Sequence, residues 1–484
     1  MSDRFENSLD PTDWAHLRRQ GHQMLDDMFD YLEHIREQAV WQPQPQTIRD
    51  SFQHALNDGP IDLADVHTLF MQTVLPYSVG NAHPGFMGWV HGGGSPVGML
   101  AEMLAAGLNA NVGGRDHAPI ELERQVIQWL RTWFAFPDTA GGLIVSGTSM
   151  ANLIGVLMAR TAKLGSASRQ TGILKLPLTA YCSANTHISI TQALEITGIG
   201  SQALRIIPVN ADYQLDSDAL RASIAADKAA GLCPFLLVGT AGSADVGAID
   251  PLPRLATIAQ QEQLWFHVDG AFGALAILAS DQSHRLAGIE CADSIALDFH
   301  KWVQVPYDAG VILVRNQAYQ LDTFASSASY LQRETRGLAA GSPWPCDLGP
   351  ELSRSFRALK IWFTLKVYGT VQLGQMISHT CELAQYLKQR IETTPQLELL
   401  APVTLNIVCF RYRCDNADKI NAHIVIALQE SGIAAPSTTR LQGHLAIRAA
   451  IVNHRTSHCD IDALLNATLA FGEQAIISQT QDNL

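Results

Sequence analysis

The stretch 294-SIALDFHKW-302 is mostly apolar and then presents His300, Lys301 and Trp302 in succession. The apolar run predicts a buried β-strand. A lysine ammonium at the end of such a strand loses hydration unless a partner neutralises its charge or the chain turns outward. Lys301 is therefore either a surface residue that extends its amine into water, or an amine that is placed for chemistry.

Other short apolar runs share the strand pattern of this stretch. The seven runs are GLIVS (142–146), TAYCS (179–183), LRIIPV (204–209), PFLLVGT (234–240), LWFHVD (264–269), DSIALD (293–298) and GVILVR (310–315). Helical segments separate several of them, over 149–163, 216–230 and 251–262. Near-continuous apolar strands that alternate with helices predict an α/β fold, in which helices cover both faces of a mainly parallel seven-stranded sheet.

Different patterns flank this region. Residues 12–39 predict one amphipathic helix, which the proline-rich WQPQPQT ends. Beyond an irregular segment over 316–349, residues 350–394 are predicted to be helical, and strands over 405–413 and 444–452 are followed by helices over 416–431 and 460–478. We therefore predict an N-terminal helical arm (1–80), a large domain (81–360) and a small C-terminal α+β domain (361–484).

Composition excludes several classes of partner. The 484-residue chain has 46 acidic and 33 basic residues and a net charge of −13, which argues against nucleic acid as the main partner. Eight cysteines form no CxxC pair, so neither a zinc ribbon nor a disulfide framework is indicated. No apolar run approaches the roughly 18 residues that a bilayer span needs, and the first residues do not resemble a secretory signal. We expect a reduced, cytoplasmic protein that does not bind membranes.

Polar residues end or follow five of the predicted strands. They are 146-SGTS-149, His187, Thr240, Asp269 and Lys301. Each has a purely structural explanation, such as a helix cap for Asp269 or a satisfied core histidine for His187. Because ligands of such sheets bind at the carboxyl ends of the strands, the five together indicate a site for a phosphate-bearing cofactor with a reactive carbonyl.

Pyridoxal 5'-phosphate (PLP) fits this set. A desolvated Lys301 amine can form a Schiff base with the cofactor aldehyde. Asp269 would pair with the pyridine nitrogen, so that the charged ring accepts electrons from the substrate Cα. His187 would lie against one face of the ring and Ala271 against the other. The helix N-terminus at 146-SGTS-149 would receive the phosphate.

Motifs along nearly the whole chain carry a resemblance to a known family. They are 18-RRQGHQMLDDMFDYLEHI-35, 83-HPGF-86, 121-ELE-123, 146-SGTSMANL-153, 187-HIS-189, 267-HVDGAF-272, 298-DFHKW-302, 355-SFRALKIW-362 and 453-NHRT-456. The chain resembles the group II PLP-dependent amino acid decarboxylases, which include the aromatic-L-amino-acid and glutamate enzymes. The resemblance implies a fold type I transferase-like subunit in an obligate homodimer, with shared active sites and exchanged N-terminal helices.

The resemblance also implies a role for individual residues. Lys301 matches the Schiff-base lysine, Asp269 the partner of the pyridinium, and His187 the stacking imidazole. Thr240 matches a position near the ring oxygen. The positions on the phosphate side are Thr148, Ser149, Ser294 and His300.

Tyr330 matches the mobile-loop tyrosine with which these decarboxylases protonate the substrate carbanion. A tyrosine hydroxyl on a closing loop is a suitable acid in a water-poor site. In related aldehyde-forming enzymes, a phenylalanine at this position leaves the carbanion to react with oxygen. Tyr330 therefore favours simple decarboxylation to an amine and CO2 over oxidative deamination.

The substrate side chain is predicted from the segment 85-GFMGWVHGGGS-95. Trp89 and Val90 fall where pocket aromatics are expected, Phe86 lies nearby, and Tyr307 matches a further pocket position. An aromatic-rich pocket favours an aromatic L-amino acid as the substrate.

Arg115 supports an alternative substrate. Supplied by the partner subunit, it could bind a carboxylate or sulfinate, as in a decarboxylase of glutamate, aspartate or cysteine sulfinate. It could equally form an ion pair with Asp116. Three histidines can be considered as metal ligands: His83, His91 and His117. Their spacing matches no known pattern of metal ligands, so no metal is expected. A binding protein that keeps the fold without catalysis, and transamination on the same cofactor, are the remaining alternatives.

Overall fold

The computed structural model describes residues 8–56, 59–173, 176–326 and 332–482. Its strands, in chain order, are β1 Phe86–Met87, β2 Gly141–Val145, β3 Leu178–Ser183, β4 Leu204–Ile207, β5 Cys233–Thr240, β6 Trp265–Asp269, β7 Ser294–Asp298, β8 Gly310–Val314, β9 Leu397–Leu399, β10 Ile407–Tyr412, β11 Ala435–Leu441 and β12 His444–Ala450.

The α-helices, in chain order, are α1 Trp14–Glu33, α2 Gln46–Ser51, α3 Leu63–Leu69, α4 Pro96–Leu108, α5 Ala118–Trp133, α6 Thr148–Leu164, α7 Ser168–Thr171, α8 Ser189–Ile196, α9 Ser217–Ala229, α10 Leu252–Glu262, α11 Ala318–Phe324, α12 Ala358–Glu392, α13 Ala417–Glu430 and α14 His458–Asp482. Short 3-10 turns cover Ile35–Glu37, Leu75–Tyr77, Ser201–Ala203, Gly273–Leu278, Ser283–Leu286, Ile289–Cys291 and Pro345–Asp347, and a π-turn covers Phe70–Val74.

The large sheet contains seven strands in the order β2-β8-β7-β6-β5-β3-β4. From β7 to β4, each neighbouring pair is parallel. Only β8 runs antiparallel to its two neighbours, β2 and β7. Every predicted apolar run supplies one strand, so the prediction of a mainly parallel seven-stranded sheet is confirmed.

Both faces of this sheet are buried, which explains why its strands are apolar without alternation. Ile295 and Leu297 of β7 join the core cluster on the side of α9 and α10. Ala296, between them, joins the cluster on the side of α6. Since successive side chains of a strand point to opposite faces, one short run supplies both layers of the core.

A second sheet has the order β1-β11-β12-β10-β9 and packs against α13. The predicted strands over 405–413 and 444–452 correspond to β10 and β12. β1 comes from far earlier in the chain and pairs in parallel with β11, with Phe86 opposite Ala435. The segment that precedes the large sheet is therefore tied to the C-terminal sheet, while the division into 1–80, 81–360 and 361–484 stays a prediction.

The N-terminal arm packs less tightly than the rest of the chain. Asp13 caps α1 by accepting hydrogen bonds from the backbone N–H groups of Ala15 and His16. The helix ends at Glu33 and a 3-10 turn follows, so it is shorter than the predicted 12–39. No residue of α1 is buried. Of the helices in the described ranges, none combines the length and the apolar character that a membrane crossing requires.

Candidate active site

A cavity of 630 Å³ opens at the carboxyl ends of the central strands. This volume lies within the range of ordinary small-molecule sites. The predicted site residues that line it are Trp89, Val90, Thr148, Ser149, His187, Thr240, Asp269, Ala271, His300, Lys301 and Tyr307. The strand order thus brings together side chains that are far apart in the sequence.

Asp269 is the last residue of β6 and is only 3% exposed. Its Oδ2 accepts a hydrogen bond from Asn152 Nδ2 at 3.0 Å, and its Oδ1 accepts one from the Ala271 N–H at 3.2 Å. Burial raises the pKa of Asp269, while the charge of Lys301 and the Asn152 hydrogen bond oppose that rise. A carboxylate in this position gains most from a cationic partner inside the cavity.

Lys301 does not extend its amine into water. Its Nζ lies 2.8 Å from Oδ2 of Asp298, a carboxylate whose side chain is only 2% exposed. The other oxygen of Asp298 accepts the Thr148 N–H at 2.8 Å. Asp298 therefore holds both the lysine amine and the first turn of α6, and it neutralises the charge that a buried strand end could not otherwise carry.

His300 is held in one orientation by its two neighbours. Its Nδ1 accepts the Ala309 N–H at 2.9 Å, and its Nε2 lies 3.6 Å from Asp298 Oδ2. Burial lowers the pKa of His300 to about 4, and the Asp298 charge opposes that shift. At neutral pH the ring is uncharged, and its remaining proton is on Nε2 because Nδ1 is an acceptor.

The turn before α6 supplies the side of the cavity that could bind phosphate. Gly147, Thr148 and Ser149 line the cavity at the N-terminus of that helix. The Thr148 hydroxyl is buried, and no partner for it is found in the described part of the chain. A Cβ on Gly310 would lie 2.4 Å from the Gly147 Cα, so β8 can approach this turn only through a glycine.

The residues present fit PLP on three observations. A buried carboxylate, Asp269, faces the cavity where a pyridine nitrogen would need a partner. The Thr148 hydroxyl, buried without a partner, lies at a helix N-terminus that suits a phosphate. The amine of Lys301 lines the same cavity as both groups.

His187 and Thr240 follow β3 and end β5, respectively, and both line the cavity. His187 Nδ1 lies 2.8 Å from Ser189 Oγ and also accepts the Ser189 N–H at 3.2 Å. The Thr240 hydroxyl lies 3.3 Å from the Thr186 hydroxyl, and its N–H donates to Asp250 at 2.8 Å. Both side chains are therefore fixed by neighbours outside the cavity.

Rings surround the mouth of the cavity. Trp89 stacks on His91, with ring centroids 5.8 Å apart, and His91 meets the edge of Tyr307 at 6.0 Å. Trp89 adopts a left-handed φ of 47° and is 55% exposed. Phe86 is only 4% exposed and stacks behind His91 at 5.7 Å. Phe86 therefore supports the pocket and does not line it.

Several lining residues were not assigned to the site from the sequence, among them His91, Asp298 and Arg448. Arg448 Nη1 donates to the Trp89 carbonyl at 3.0 Å and to Ser437 Oγ at 3.1 Å. It belongs to β12, so the C-terminal sheet helps to build the mouth. The sequence did contain a signal for Arg448: a charged residue inside the apolar run HLAIRAAIV indicates a buried charge with a structural or functional role.

Besides Phe86, two described residues that were predicted for the site do not line the cavity, and a further predicted residue is not described. Ser294 is the first residue of β7 and is fully buried, about 13 Å of strand away from Asp298 at the carboxyl end. Arg115 is exposed, and its guanidinium lies 4.6 Å from the centre of the Trp344 ring. Tyr330 lies outside the described residues.

Comparisons with known proteins agree with this geometry. The model of the pyridoxal-dependent decarboxylase conserved domain matches residues 45–413. An aromatic-L-amino-acid decarboxylase of Bacillus atrophaeus is 32% identical over 96% of each chain. Tyrosine decarboxylase 2 of Narcissus pseudonarcissus is 31% identical over 92% of each chain.

Solved structures show the same fold. The tryptophan decarboxylase of Catharanthus roseus in complex with L-tryptophan superposes with a TM-score of 0.86 at 25% identity, over 96% of this chain and 100% of that one. Oryza sativa TDC with PLP and tryptamine superposes with a TM-score of 0.88 at 23% identity, over 97% of this chain and 100% of that one. The chain therefore belongs to the pyridoxal-dependent decarboxylases, carboxy-lyases that use PLP as their cofactor.

Proposed function

We propose that this enzyme decarboxylates an L-amino acid with an aromatic side chain and releases the corresponding amine and CO2. The observation that carries the proposal is the ring of Trp89, His91 and Tyr307 at the mouth of a cavity that contains Asp269 and Lys301. Stacked rings favour a flat, apolar substrate side chain. The related enzymes from Bacillus and Narcissus, an aromatic-L-amino-acid and a tyrosine decarboxylase, support the same substrate class.

In this proposal the cofactor binds at the floor of the cavity, which consists of Asp269, Asp298 and Lys301. Lys301 would hold PLP covalently through its aldehyde, and Asp269 would pair with the ring nitrogen. His187 and Ala271 would contact the two ring faces, and Thr240 would lie near the ring oxygen. The residues that would face the phosphate are Thr148, Ser149 and His300. When bound, PLP supplies a ring that accepts the electron pair left at the substrate Cα as CO2 departs.

Asp298 extends this assignment. Its Oδ2 lies 2.8 Å from the lysine Nζ and therefore holds that amine inside the cavity. Because its second oxygen holds the Thr148 N–H, any movement of the lysine away from Asp298 leaves the phosphate side of the cavity in place. Asp298 thus lets Lys301 change partners without disturbing the helix N-terminus.

We propose that Tyr330 donates the proton that the substrate Cα takes up after CO2 has left. The alternative product is an aldehyde, and a phenylacetaldehyde synthase of Arabidopsis thaliana, 29% identical to this chain, supports testing for it. Amine without peroxide would support the role of Tyr330, and aldehyde with peroxide would contradict it.

The proposed assembly is a homodimer whose partner covers the N-terminal arm. Large apolar side chains of the arm are exposed, including Trp14 at 54%, Leu69 at 52% and Val74 at 43%. A surface of this kind favours burial against a second copy. Arg115 would then be a candidate for the partner's side of the cavity. We also propose a cytoplasmic location, because eight scattered cysteines without a CxxC pair suit a reducing compartment.

One assay tests the substrate class most directly. CO2 release and amine formation are measured across aromatic, acidic and basic L-amino acids, with purified enzyme reconstituted with PLP. We expect kcat/KM to be highest for an aromatic substrate. Preference for glutamate, aspartate or cysteine sulfinate would overturn the aromatic assignment and favour a role for Arg115 in binding the second acid group.

A further inference from the structure

Beneath the floor of the cavity, a continuous chain of hydrogen bonds connects the interior of the sheet to His187. Its members, in order, are Trp265, Ser294, His267, Asn152, Ser189 and His187. Ser294, His267 and Asn152 have no exposed surface. Of the six residues, only His187 lines the cavity.

Asp269 fixes the direction of the first half. Its carboxylate can only accept, so Asn152 turns Nδ2 towards it and Oδ1 towards His267. His267 Nε2 therefore has the proton and donates to Asn152 Oδ1 at 2.9 Å, and Nδ1 accepts from the Ser294 hydroxyl at 2.8 Å. Trp265 Nε1 in turn donates to Ser294 Oγ at 2.8 Å. Burial lowers the pKa of His267 to about 3, so the ring has a single proton at neutral pH.

The second half branches at Asn152. The two hydrogens of its Nδ2 go to Asp269 Oδ2 at 3.0 Å and to Ser189 Oγ at 2.9 Å. The Ser189 hydroxyl donates to His187 Nδ1 at 2.8 Å, beside the Ser189 N–H at 3.2 Å. His187 Nδ1 is therefore an acceptor, and its proton is on Nε2.

Asn152 cannot reverse its amide without breaking this chain. In the reversed orientation its oxygen would face the Asp269 carboxylate, and its amino group would face the protonated Nε2 of His267. The first contact would place two acceptors together and the second two donors, in a buried setting where unsatisfied polar atoms are costly. One amide orientation therefore serves two residues of the site at once.

We propose that Asn152, oriented by His267 and Ser294, is a positioning residue that turns the Ser189 hydroxyl towards His187 Nδ1 and sets the orientation of the Asp269 carboxylate. The inference rests on the proposed function, since both residues are assigned there to contact the ring of PLP. Its consequence is that the contact with the ring face and the contact with the ring nitrogen are not independent: a change at Asn152 disturbs both.

Two substitutions of Asn152 test the proposal. Asn152→Asp keeps the shape but replaces the donor to Ser189 by an acceptor, so the Ser189 hydroxyl turns towards it and no longer donates to His187 Nδ1, which keeps only the Ser189 N–H. Asn152→Leu removes all three hydrogen bonds at similar volume. For both variants we expect the dissociation constant for PLP, measured by absorbance titration of apoprotein, to rise at least about 10-fold, because a hydrogen bond to a buried charge is lost.

The hydrogen bond to His187 is measured independently of catalysis. In apoprotein labelled with 15N-histidine, the His187 signals, identified by their loss in His187→Gln, report whether Nδ1 is protonated and how strongly it is hydrogen-bonded. Wild type is expected to show an unprotonated, hydrogen-bonded Nδ1, and in Asn152→Asp the Nδ1 signal should move towards that of a free unprotonated nitrogen, because the Ser189 hydroxyl no longer donates to it.

A second pair of variants separates positioning from simple loss of packing. The amide of His267→Gln can still donate to Asn152 Oδ1, whereas His267→Phe cannot. We expect the first to keep the PLP dissociation constant within about 3-fold and the second to raise it about 10-fold. Tyr181→Phe is the matched control, because it deletes a buried hydrogen bond to Asp227 in the same sheet, away from the cavity. It should leave the constant unchanged.

The outcomes are distinguishable. If wild type binds PLP and releases CO2, but the Asn152 variants keep both the affinity and the position of the His187 Nδ1 signal, the inference is overturned and the proposed function stands. If wild type fails to release CO2 from any amino acid, the proposed function fails, and the His187 signals in apoprotein still decide the inference. If the Asn152 variants do not fold, the His267 pair decides it: equal PLP affinity of the two would overturn the proposal.

Discussion

The floor and the rim of the cavity are built in opposite ways. The floor consists of Asp269, Asp298 and Lys301, which end or directly follow central strands, and its two carboxylates are almost completely buried. The rim consists of Trp89, His91, Tyr307 and Arg448, and two of its rings are about half exposed. Burial fixes the chemistry in the floor, while exposure leaves the Trp89 and Tyr307 rings of the rim free to be altered without loss of the core. Variants in the two regions should therefore fail in different ways.

Lys301→Ala should have the largest effect, since it deletes the amine of the floor that would hold the cofactor. We expect kcat to fall at least about 10³-fold, and the thermal midpoint to fall as well because the buried Asp298 loses its cationic partner. Initial rates of CO2 release measure the loss. Lys228→Ala, which breaks a surface ion pair with Glu262, is the control and should keep full activity. A modest loss in Lys301→Ala would place the covalent attachment at another residue.

Asp269→Asn should have the next largest effect, because it keeps the shape of the floor and removes its charge. We expect kcat to fall about 10²-fold, as the ring nitrogen loses its ionic partner. Asp227→Asn is the matched control, a buried acid that bonds Tyr181 and Arg205 instead of the cavity. Near-normal turnover in Asp269→Asn would mean that the carboxylate has only a structural role.

Trp89→Ala should affect the rim alone. We expect kcat/KM for aromatic substrates to fall about 10-fold, mainly through KM, because a ring contact is lost while the floor is unchanged. Trp89→Phe keeps a ring and should recover most of the loss. Equal effects on aromatic and non-aromatic amino acids would contradict the assignment of Trp89 to substrate recognition.

The last expected effect is not on turnover but on the free energy of unfolding, through His267 beneath the floor. His267 is fully buried with its pKa lowered to about 3, whereas the unfolded chain takes up a proton near pH 6.5. Stability from the neutral ring is therefore present above pH 6.5 and is lost as the pH falls towards 3. The free energy of unfolding should decrease by up to about 1.4 kcal/mol per pH unit in that window on account of this residue.

Urea unfolding of His267→Gln between pH 6 and pH 4 measures this contribution. Its pH dependence should be shallower than that of wild type, and the same substitution at the exposed His423 serves as the control. An unchanged slope in His267→Gln would show that this ring takes up its proton in the folded protein as readily as in the unfolded chain.

The sequence predicted the floor better than the rim, for physical reasons. Continuous apolar runs mark strands buried on both faces, and the polar residues that end them meet at one edge of the sheet. Asp269 and Lys301 were found in this way. β11, with the sequence APSTTRL, has no such run, because three of its seven residues are exposed or partly exposed.

The same rule explains which residues were misplaced or missed. Ser294 matched a family position, yet it starts β7, and the amino end of a parallel strand lies away from the site. Asn152 belongs to the motif 146-SGTSMANL-153, but only its distances to Asp269 and His267 reveal that it connects the two residues. The position of Arg115 in the assembly depends on a second subunit, which a single sequence does not contain.

The pairing of β1 with β11 has a consequence for the order in which the protein can become active. Thr456 Oγ1 also donates to the carbonyl of Pro84, 372 residues earlier in the chain. At about 5–20 residues per second, a ribosome needs roughly 20–70 s to deliver the partner strand after Phe86 has emerged. A nascent chain could therefore complete its central sheet well before its substrate mouth. Newly made enzyme would acquire the ability to bind the cofactor before the ability to choose an amino acid.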